Sequence, residues 1–277
     1  MNAHASESRD ERRRVVVITG ASGGIGRSLV ESLLDEHVDL YLVARSRLDE
    51  LNELTRRLSE DETKARARVF QADLSVCEES ARLATRILDA LREDQNDDAP
   101  RIDALVLAAG IDLMARENKA LDFDARLQKA WQVDVASNIT IARALCAIMR
   151  ARSLERASEP RPSALFFGWS GVERGQKGET SQIYAACKGA IVAFARSLAQ
   201  ELAPYVRVNT INPGWIKTTW GEQASEAADR RARRDSLLQR WGTAREVAAL
   251  ARFLISDEAS FINGVDANVD GGFAFDR

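Results

Sequence analysis

Tyr184 and Lys188 stand four residues apart in the run from Ile183 to Ala190. A phenol and an ammonium at that spacing can form an acid/base pair. On a helix, four residues rise about 6 Å and return to nearly the same face, so both side chains would enter one cleft. A free tyrosine titrates near ~10 and is a poor base at neutral pH. An ammonium about 4 Å away, at a dielectric typical of a protein surface, contributes about 4 kcal/mol. That corresponds to roughly three pKa units and would bring the phenol toward neutral pH. The same spacing also describes an aromatic ring packed on a lysine stem, so a second motif is needed to separate the two readings.

The second motif lies near the N-terminus. Val15–Thr19 is a short β-branched apolar run, read as a buried strand. Gly20, Ser22, Gly23, Gly24, Ile25 and Gly26 follow, and an amphipathic stretch from Arg27 to His37 reads as a helix. Glycines between a strand and a helix permit a tight turn and let backbone N–H groups approach a pyrophosphate, while the helix N-terminus favours an anion. Between those two elements the pattern is a dinucleotide signal; elsewhere it would be an ordinary glycine-rich turn.

The elements that must hold these two motifs alternate along the chain. Candidate strands are Val15–Thr19, Asp39–Val43, Ala67–Gln71, Ala104–Ala108, Ser163–Phe167, Arg207–Ile211 and Val265–Val269, with helical patterns between them. Ser75 with Glu78, and Thr243 with Glu246, read as capping boxes at helix starts. Such alternation predicts an α/β fold, a doubly wound parallel sheet of seven strands with helices on both faces. Residues 92–101 and 151–162 read as loops. The segment from Trp215 to Arg240 breaks the rhythm after a strand end; it reads as a lid over a ligand or as a peripheral helix pair.

Composition narrows the classes. The chain has 277 residues, enough for one large domain over residues 14–277, with residues 1–13 expected to be a disordered tail. A net charge of −3 with interspersed signs argues against bulk nucleic-acid binding. Cys77, Cys146 and Cys187 lack metal-ligand spacing, and His4 and His37 are the only histidines, so no metal site is expected. Sparse cysteines fit a reducing cytoplasm. Cys187, between the tyrosine and the lysine, reads as a small helix residue rather than a nucleophile. No apolar run reaches membrane-spanning length, and no secretory h-region precedes Arg14.

Taken together, the motifs resemble the short-chain dehydrogenase/reductase family in its compact single-domain form, over about Arg13 to Gly272. The family's opening glycine pattern stands as Thr19–Gly26, its Asp-Leu after the third strand as Asp73 and Leu74, and its Ala-Gly after the fourth as Ala109 and Gly110. Tyr184 and Lys188 match its Tyr-x-x-x-Lys. Asn209 with Asn212, Pro213 and Gly214 matches the segment after the sixth strand, and Asn268–Gly272 its C-terminal strand. The last third is most similar to 3-oxoacyl-carrier-protein reductases and related bacterial alcohol and sugar dehydrogenases.

The resemblance implies an NADP(H)- or NAD(H)-dependent oxidoreductase acting on a small carbonyl compound or secondary alcohol. Tyr184 would exchange the proton, and Lys188 would lower its pKa and hold the nicotinamide ribose. The family's substrate-binding serine usually falls 13 residues before the tyrosine, which is Gly171 here; Ser170 is expected to take its place, with Ser181 as the alternative. The family's helix asparagine falls on Asp134, with Asn138 one turn on as the other register. Asp134 could pair with Lys188 and keep the proton relay in altered form. Asp73 resembles the adenine contact, and Pro213, Gly214, Ile216 and Thr218 the strip along the carboxamide and pyrophosphate. The second strand ends in Ala44, followed by Arg45, Ser46 and Arg47. With no acid there to bind a 2′-hydroxyl and a guanidinium suited to phosphate, NADP(H) is expected over NAD(H). Trp169, Trp215 and Trp220 are expected near the cleft mouth. The cluster Arg230, Arg231, Arg233 and Arg234 could meet an anionic substrate or form a solvated helix face. By resemblance the chain is expected to be a homodimer or homotetramer. The other class left open is a catalytically weak dinucleotide-binding sensor or regulator.

Overall fold

The computed structural model describes residues 13–56, 65–218 and 224–272. The elements in chain order are β1 (Arg14–Thr19), α1 (Gly24–Leu33), β2 (Val38–Ala44), α2 (Leu48–Arg56), β3 (Arg66–Gln71), α3 (Glu79–Gln95) and β4 (Ala104–Leu107). There follow α4 (Arg116–Lys119), α5 (Phe123–Ala130), a π-helical turn (Trp131–Ala136), α6 (Ser137–Glu155), β5 (Ser163–Phe167) and α7 (Glu179–Leu202). The last third holds β6 (Arg207–Pro213), β7 (Ile216–Lys217), α8 (Glu226–Asp235), β8 (Gly242–Thr243), α9 (Ala244–Leu254) and β9 (Asp266–Val269).

Seven strands form one parallel sheet in the order β3-β2-β1-β4-β5-β6-β9. The sheet is buried on both faces because its strands alternate between two apolar layers. Val15 and Val17, Leu105 and Leu107, Ala164 and Phe166 point to one layer with Leu83, Ile141, Leu145 and Ile191 from α3, α6 and α7. Val16 and Ile18, Ala104 and Val106, Leu165 and Phe167 point to the other, with Leu29, Leu33, Val247 and Leu254 from α1 and α9. Period-two alternation inside continuous apolar runs is what a two-faced parallel sheet requires.

The strand order reverses between β1 and β4. There Thr19 pairs with Val43 on one side and Leu107 on the other, so the loops after β1, β2 and β4 leave the sheet at one level. That crevice is where ligands bind in open α/β sheets.

The expected and observed elements differ locally. The first helix runs Gly24–Leu33, not Arg27–His37. Gly23 is its extended N-cap, and the chain leaves the helix in time for Val38 to enter β2. Ser75 and Glu78 form no capping box: the Ser75 N–H and hydroxyl both donate to Asp73 Oδ1, a local turn that competes with the cap, and α3 starts at Glu79. Thr243 and Glu246 do form theirs. Helices α3 and α6 extend to Gln95 and Glu155, into stretches expected to be loops. Residues 1–12 of the expected tail lie outside the described residues, whereas Arg13 is anchored on Asp39 and the Val38 carbonyl.

Candidate active site

A cleft of about 1030 Å³ opens at the carboxyl ends of the strands. Gly20, Gly23, Gly24, Ile25 and Gly26 form one end; Gly110, Tyr184 and Lys188 lie on its wall; Pro213, Gly214, Ile216 and Thr218 close the opposite side. Motifs separated by some 160 residues of chain therefore meet.

The glycine end is a closely packed backbone turn. Gly20 has φ 68, and a Cβ there would lie 2.7 Å from the backbone of Ala108 and Ala109. A Cβ on Gly26 would lie 2.2 Å from the Gly20 carbonyl oxygen. Backbone thus packs where no other side chain fits. No side chain caps α1, and its first turn carries no acid, which leaves the helix N-terminus open to an anion. These features fit a pyrophosphate.

On the cleft wall, α7 delivers Tyr184 and Lys188 from consecutive turns over an apolar bed of Ile111, Leu113, Val135, Ile183 and Cys187. Lys188 Nζ lies 2.6 Å from Asp134 Oδ1, with side chains 11% and 3% exposed. Asp134 sits in the π-helical turn between α5 and α6, a distortion common at functional sites. Its Oδ2 accepts from the Ile111 N–H at 3.3 Å. Asn138, one turn on, is buried and donates through Nδ2 to the Asp134 carbonyl at 2.9 Å. Of the two registers, Asp134 is the one that reaches the lysine.

The pairing is the one the sequence allowed for Asp134, and beside it the Tyr184 pKa moves opposite to the lowering expected from Lys188. The ammonium is met by the Asp134 carboxylate rather than left to act on the phenol. Burial raises the Tyr184 pKa above the ordinary tyrosine value, and the charges of Asp134 and Asp112 push it further the same way. Its hydroxyl donates to the Ile111 carbonyl at 3.1 Å. The phenol is therefore protonated at neutral pH. Burial also pushes the Cys187 thiol up to about 11, so that residue is an inert packing group.

Ser170 lies in the turn after β5 with its backbone N–H on the Pro213 carbonyl, and does not line the cleft. Ser181 does line it, and so does Trp169, whose ring centroid is 6.1 Å from that of Tyr184. Of the residues expected to contact the adenosine half of a cofactor, Arg45, Ser46, Asp73 and Leu74 do not line the cleft, whereas the adjacent Arg47 does. Arg45, Ser46 and Asp73 are exposed beside it, and Leu74 is buried in the core. Ser22 shares a small pocket with Arg47 and Arg27. Ala109 donates its N–H to Thr19 Oγ1.

The segment after Trp215 contributes a wall. Ala227, Ala228 and Arg231 of α8 line the cleft, as does Trp215, over whose ring the Arg231 guanidinium lies at 5.7 Å. Arg230, Arg233 and Arg234 are paired with neighbouring acids on the same helix. Trp220 lies outside the described residues. Sequence reasoning missed Arg126 and Asp112, which also line the cleft. Neither belongs to a local motif, and helix packing brings Arg126 there. Among the described residues no cluster of metal-ligating side chains is present, and no helix is long and apolar enough to cross a membrane.

A family model described as enoyl-(acyl carrier protein) reductase matches residues 20–274. The uncharacterized oxidoreductase YmfI of Bacillus subtilis is 30% identical over 94% of this chain and 98% of its own length. A protein of Listeria innocua named NAD-dependent glycerol dehydrogenase is 27% identical over 94% of this chain and 93% of its own. Among solved structures, the NADPH-dependent 3-quinuclidinone reductase of Rhodotorula rubra superposes with a TM-score of 0.77 at 25% identity, covering 94% of this chain and 90% of that one.

Proposed function

The chain belongs to the short-chain dehydrogenase/reductase family of hydride-transferring oxidoreductases, and from that membership we propose that it is an NADP(H)-dependent reductase or dehydrogenase of a small carbonyl compound or alcohol, with Tyr184 as its proton donor and acceptor. The observation that carries this reading is the convergence of Tyr184, Lys188 and the glycine cradle on one cleft. The nicotinamide, when bound, supplies or accepts the hydride.

The chain's own residues do the rest. Gly20–Gly26 and the open start of α1 hold the pyrophosphate, and Pro213, Gly214, Ile216 and Thr218 flank the carboxamide side. Protonated Tyr184 donates to the oxygen of the carbonyl as negative charge develops on it. Lys188, held by Asp134, presents its remaining N–H donors to the ribose. A hydroxyl orients the substrate oxygen; Ser170 is the sequence candidate and Ser181 is the one on the cleft wall. Loss of turnover in Ser170→Ala with Ser181→Ala unaffected selects the first, and the reverse result selects the second.

NADP(H) is favoured by the same end of the cleft. β2 ends in Ala44 with no acid to repel a 2′-phosphate, and Arg47 lines the adjoining wall with Arg45 and Ser46 beside it. Relatives of both cofactor types exist, so these residues carry the choice. Comparing the dissociation constants of NADPH and NADH tests it; tighter or equal NADH binding overturns it. A homodimer or homotetramer in a reducing cytoplasm completes the reading, and light scattering of the purified protein measures the assembly.

The activity is tested by following reduced-cofactor oxidation with ketones, 3-oxoacyl thioesters, quinones and sugars, in wild type and in Tyr184→Phe. The variant is expected to lose turnover by about 10²-fold or more while binding cofactor normally. Undiminished turnover removes Tyr184 from the mechanism.

A further inference from the structure

Arg126 is a buried cation on the cleft wall that the proposed hydride chemistry does not use. It projects from α5, which packs against α7, and its side chain is 9% exposed. A guanidinium taken out of water must recover its hydration from paired charges and hydrogen bonds. Arg126 recovers part of it. Nη2 donates to Thr180 Oγ1, and Nη1 lies 3.5 Å from Glu179 Oε2. That carboxylate is 66% exposed, and a solvated acid at such a distance compensates little. Nε is buried with no hydrogen-bond partner. The neighbouring cation on α5, Lys129, is turned to Asn118 Oδ1 at 2.8 Å. Asp112 lines the same cleft and holds the Met114 N–H through Oδ1.

The position of this charge is set by α7. Thr180, which receives the guanidinium, precedes Tyr184 by four residues, about 6 Å along the helix axis. A cation with incomplete compensation therefore lies about one helical turn from the proton-donating phenol. Two other arginines line the cleft: Arg47 stands beside Ser22, and Arg231 is already well paired. Arg231 donates to Gln176 Oε1 at 2.9 Å, pairs with Asp235 at 3.4 Å and stacks over Trp215.

We propose that Arg126 is a specificity-determining residue that pairs with a carboxylate on the substrate, so that the site takes oxo acids and hydroxy acids in preference to neutral ketones and alcohols. A planar carboxylate matches the fork of a guanidinium and supplies the counter-charge that Glu179 gives only loosely. The inference rests on the hydride-transfer reading for its chemistry, and its test is a binding measurement that needs no turnover.

The intact protein is titrated with unbranched carboxylates from butanoate to octanoate and with the matching amides, with and without NADPH, following the fluorescence of Trp169 and Trp215 on the cleft wall. At least one carboxylate is expected to bind about tenfold or more tightly than its amide. Arg126→Gln is expected to erase that ratio while leaving amide and NADPH affinities within about twofold, with Arg126→Lys intermediate. Arg233→Gln, exposed and outside the cleft, is expected to change neither. The proposal is overturned if no carboxylate outbinds its amide in the wild-type protein, or if Arg126→Gln weakens both alike, which would make Arg126 only a pin between α5 and α7. Should Arg126→Gln fail to fold, the wild-type ratio and its reduction in Arg126→Lys decide. A carboxylate preference without NADPH binding would leave the anion site standing and remove the hydride-transfer reading.

Discussion

Asp134 changes what the tyrosine–lysine pair can do. A carboxylate 2.6 Å from Lys188 neutralises the charge that would otherwise favour a phenolate, and burial then keeps Tyr184 protonated. The two reaction directions should therefore respond to pH differently. In the proposed mechanism reduction needs the protonated phenol, whose pKa is raised, so its rate is expected to stay level from neutral pH to beyond ~10. Oxidation needs the phenolate, so its rate is expected to climb about tenfold per pH unit over the same range. Initial rates in both directions between pH 6 and 10 check this. An oxidation rate that levels off near neutral pH would show a lowered pKa and overturn the raised one argued from burial. Replacing the carboxylate removes one of the causes of the rise. Asp134→Asn is expected to move the oxidation profile toward acid, at a cost in stability of about 3 kcal/mol or more, because Lys188 loses its counter-ion. The pH profile and the thermal midpoint read these two effects separately.

At the scale of the element, the site depends on where helices start. Helix α1 begins at Gly24 because Gly20 can adopt φ 68 and Gly26 leaves room for the Gly20 carbonyl. Gly26→Ala would place a methyl group 2.2 Å from backbone, which has no side chain that could swing aside. The expected result is loss of NADPH affinity by about tenfold or more with a lowered thermal midpoint, measured by cofactor titration and calorimetry. A cap remote from the cradle should behave otherwise. The Thr243–Glu246 box starts α9, where Arg240 also pairs with Glu246. Thr243→Ala is expected to cost about 1 kcal/mol of stability and leave cofactor affinity unchanged. Equal effects of the two substitutions on cofactor binding would show that α1 has no special part in it.

For the whole molecule, the cleft joins three regions that are far apart in sequence, so a ligand that fills it should stabilise the fold globally. NADPH is expected to raise the thermal midpoint progressively, by linkage equal to about 2.7 kcal/mol at a hundred times its dissociation constant. NADH at equal concentration is expected to raise it less. A midpoint insensitive to both would contradict a dinucleotide site. Exposed apolar groups also remain at this scale: Phe261 and Val265 precede the edge strand β9, and Trp131 and Leu154 lie on the α5–α6 stretch. The expected dimer or tetramer would have such surfaces to cover.

Much of this was written in the chain itself. The β-branched runs, the glycine turn and the Tyr184–Lys188 spacing are local patterns, and local sterics and periodicity fix them wherever the rest of the chain lies. They determine the strands, the doubly wound class and the two ends of the site. The strand order, the closure of the Asp134–Lys188 pair that the sequence only allowed, and the arrival of Arg126 beside Thr180 are long-range contacts, and the direction of the Tyr184 shift follows from such packing. None has a local signature, because each depends on which surfaces pack together and how much water that packing removes. The sequence placed an acid at Asp134 and a base at Lys188, but only packing made them a buried pair. Charge in a folded protein takes its energy from its surroundings, and the surroundings are tertiary.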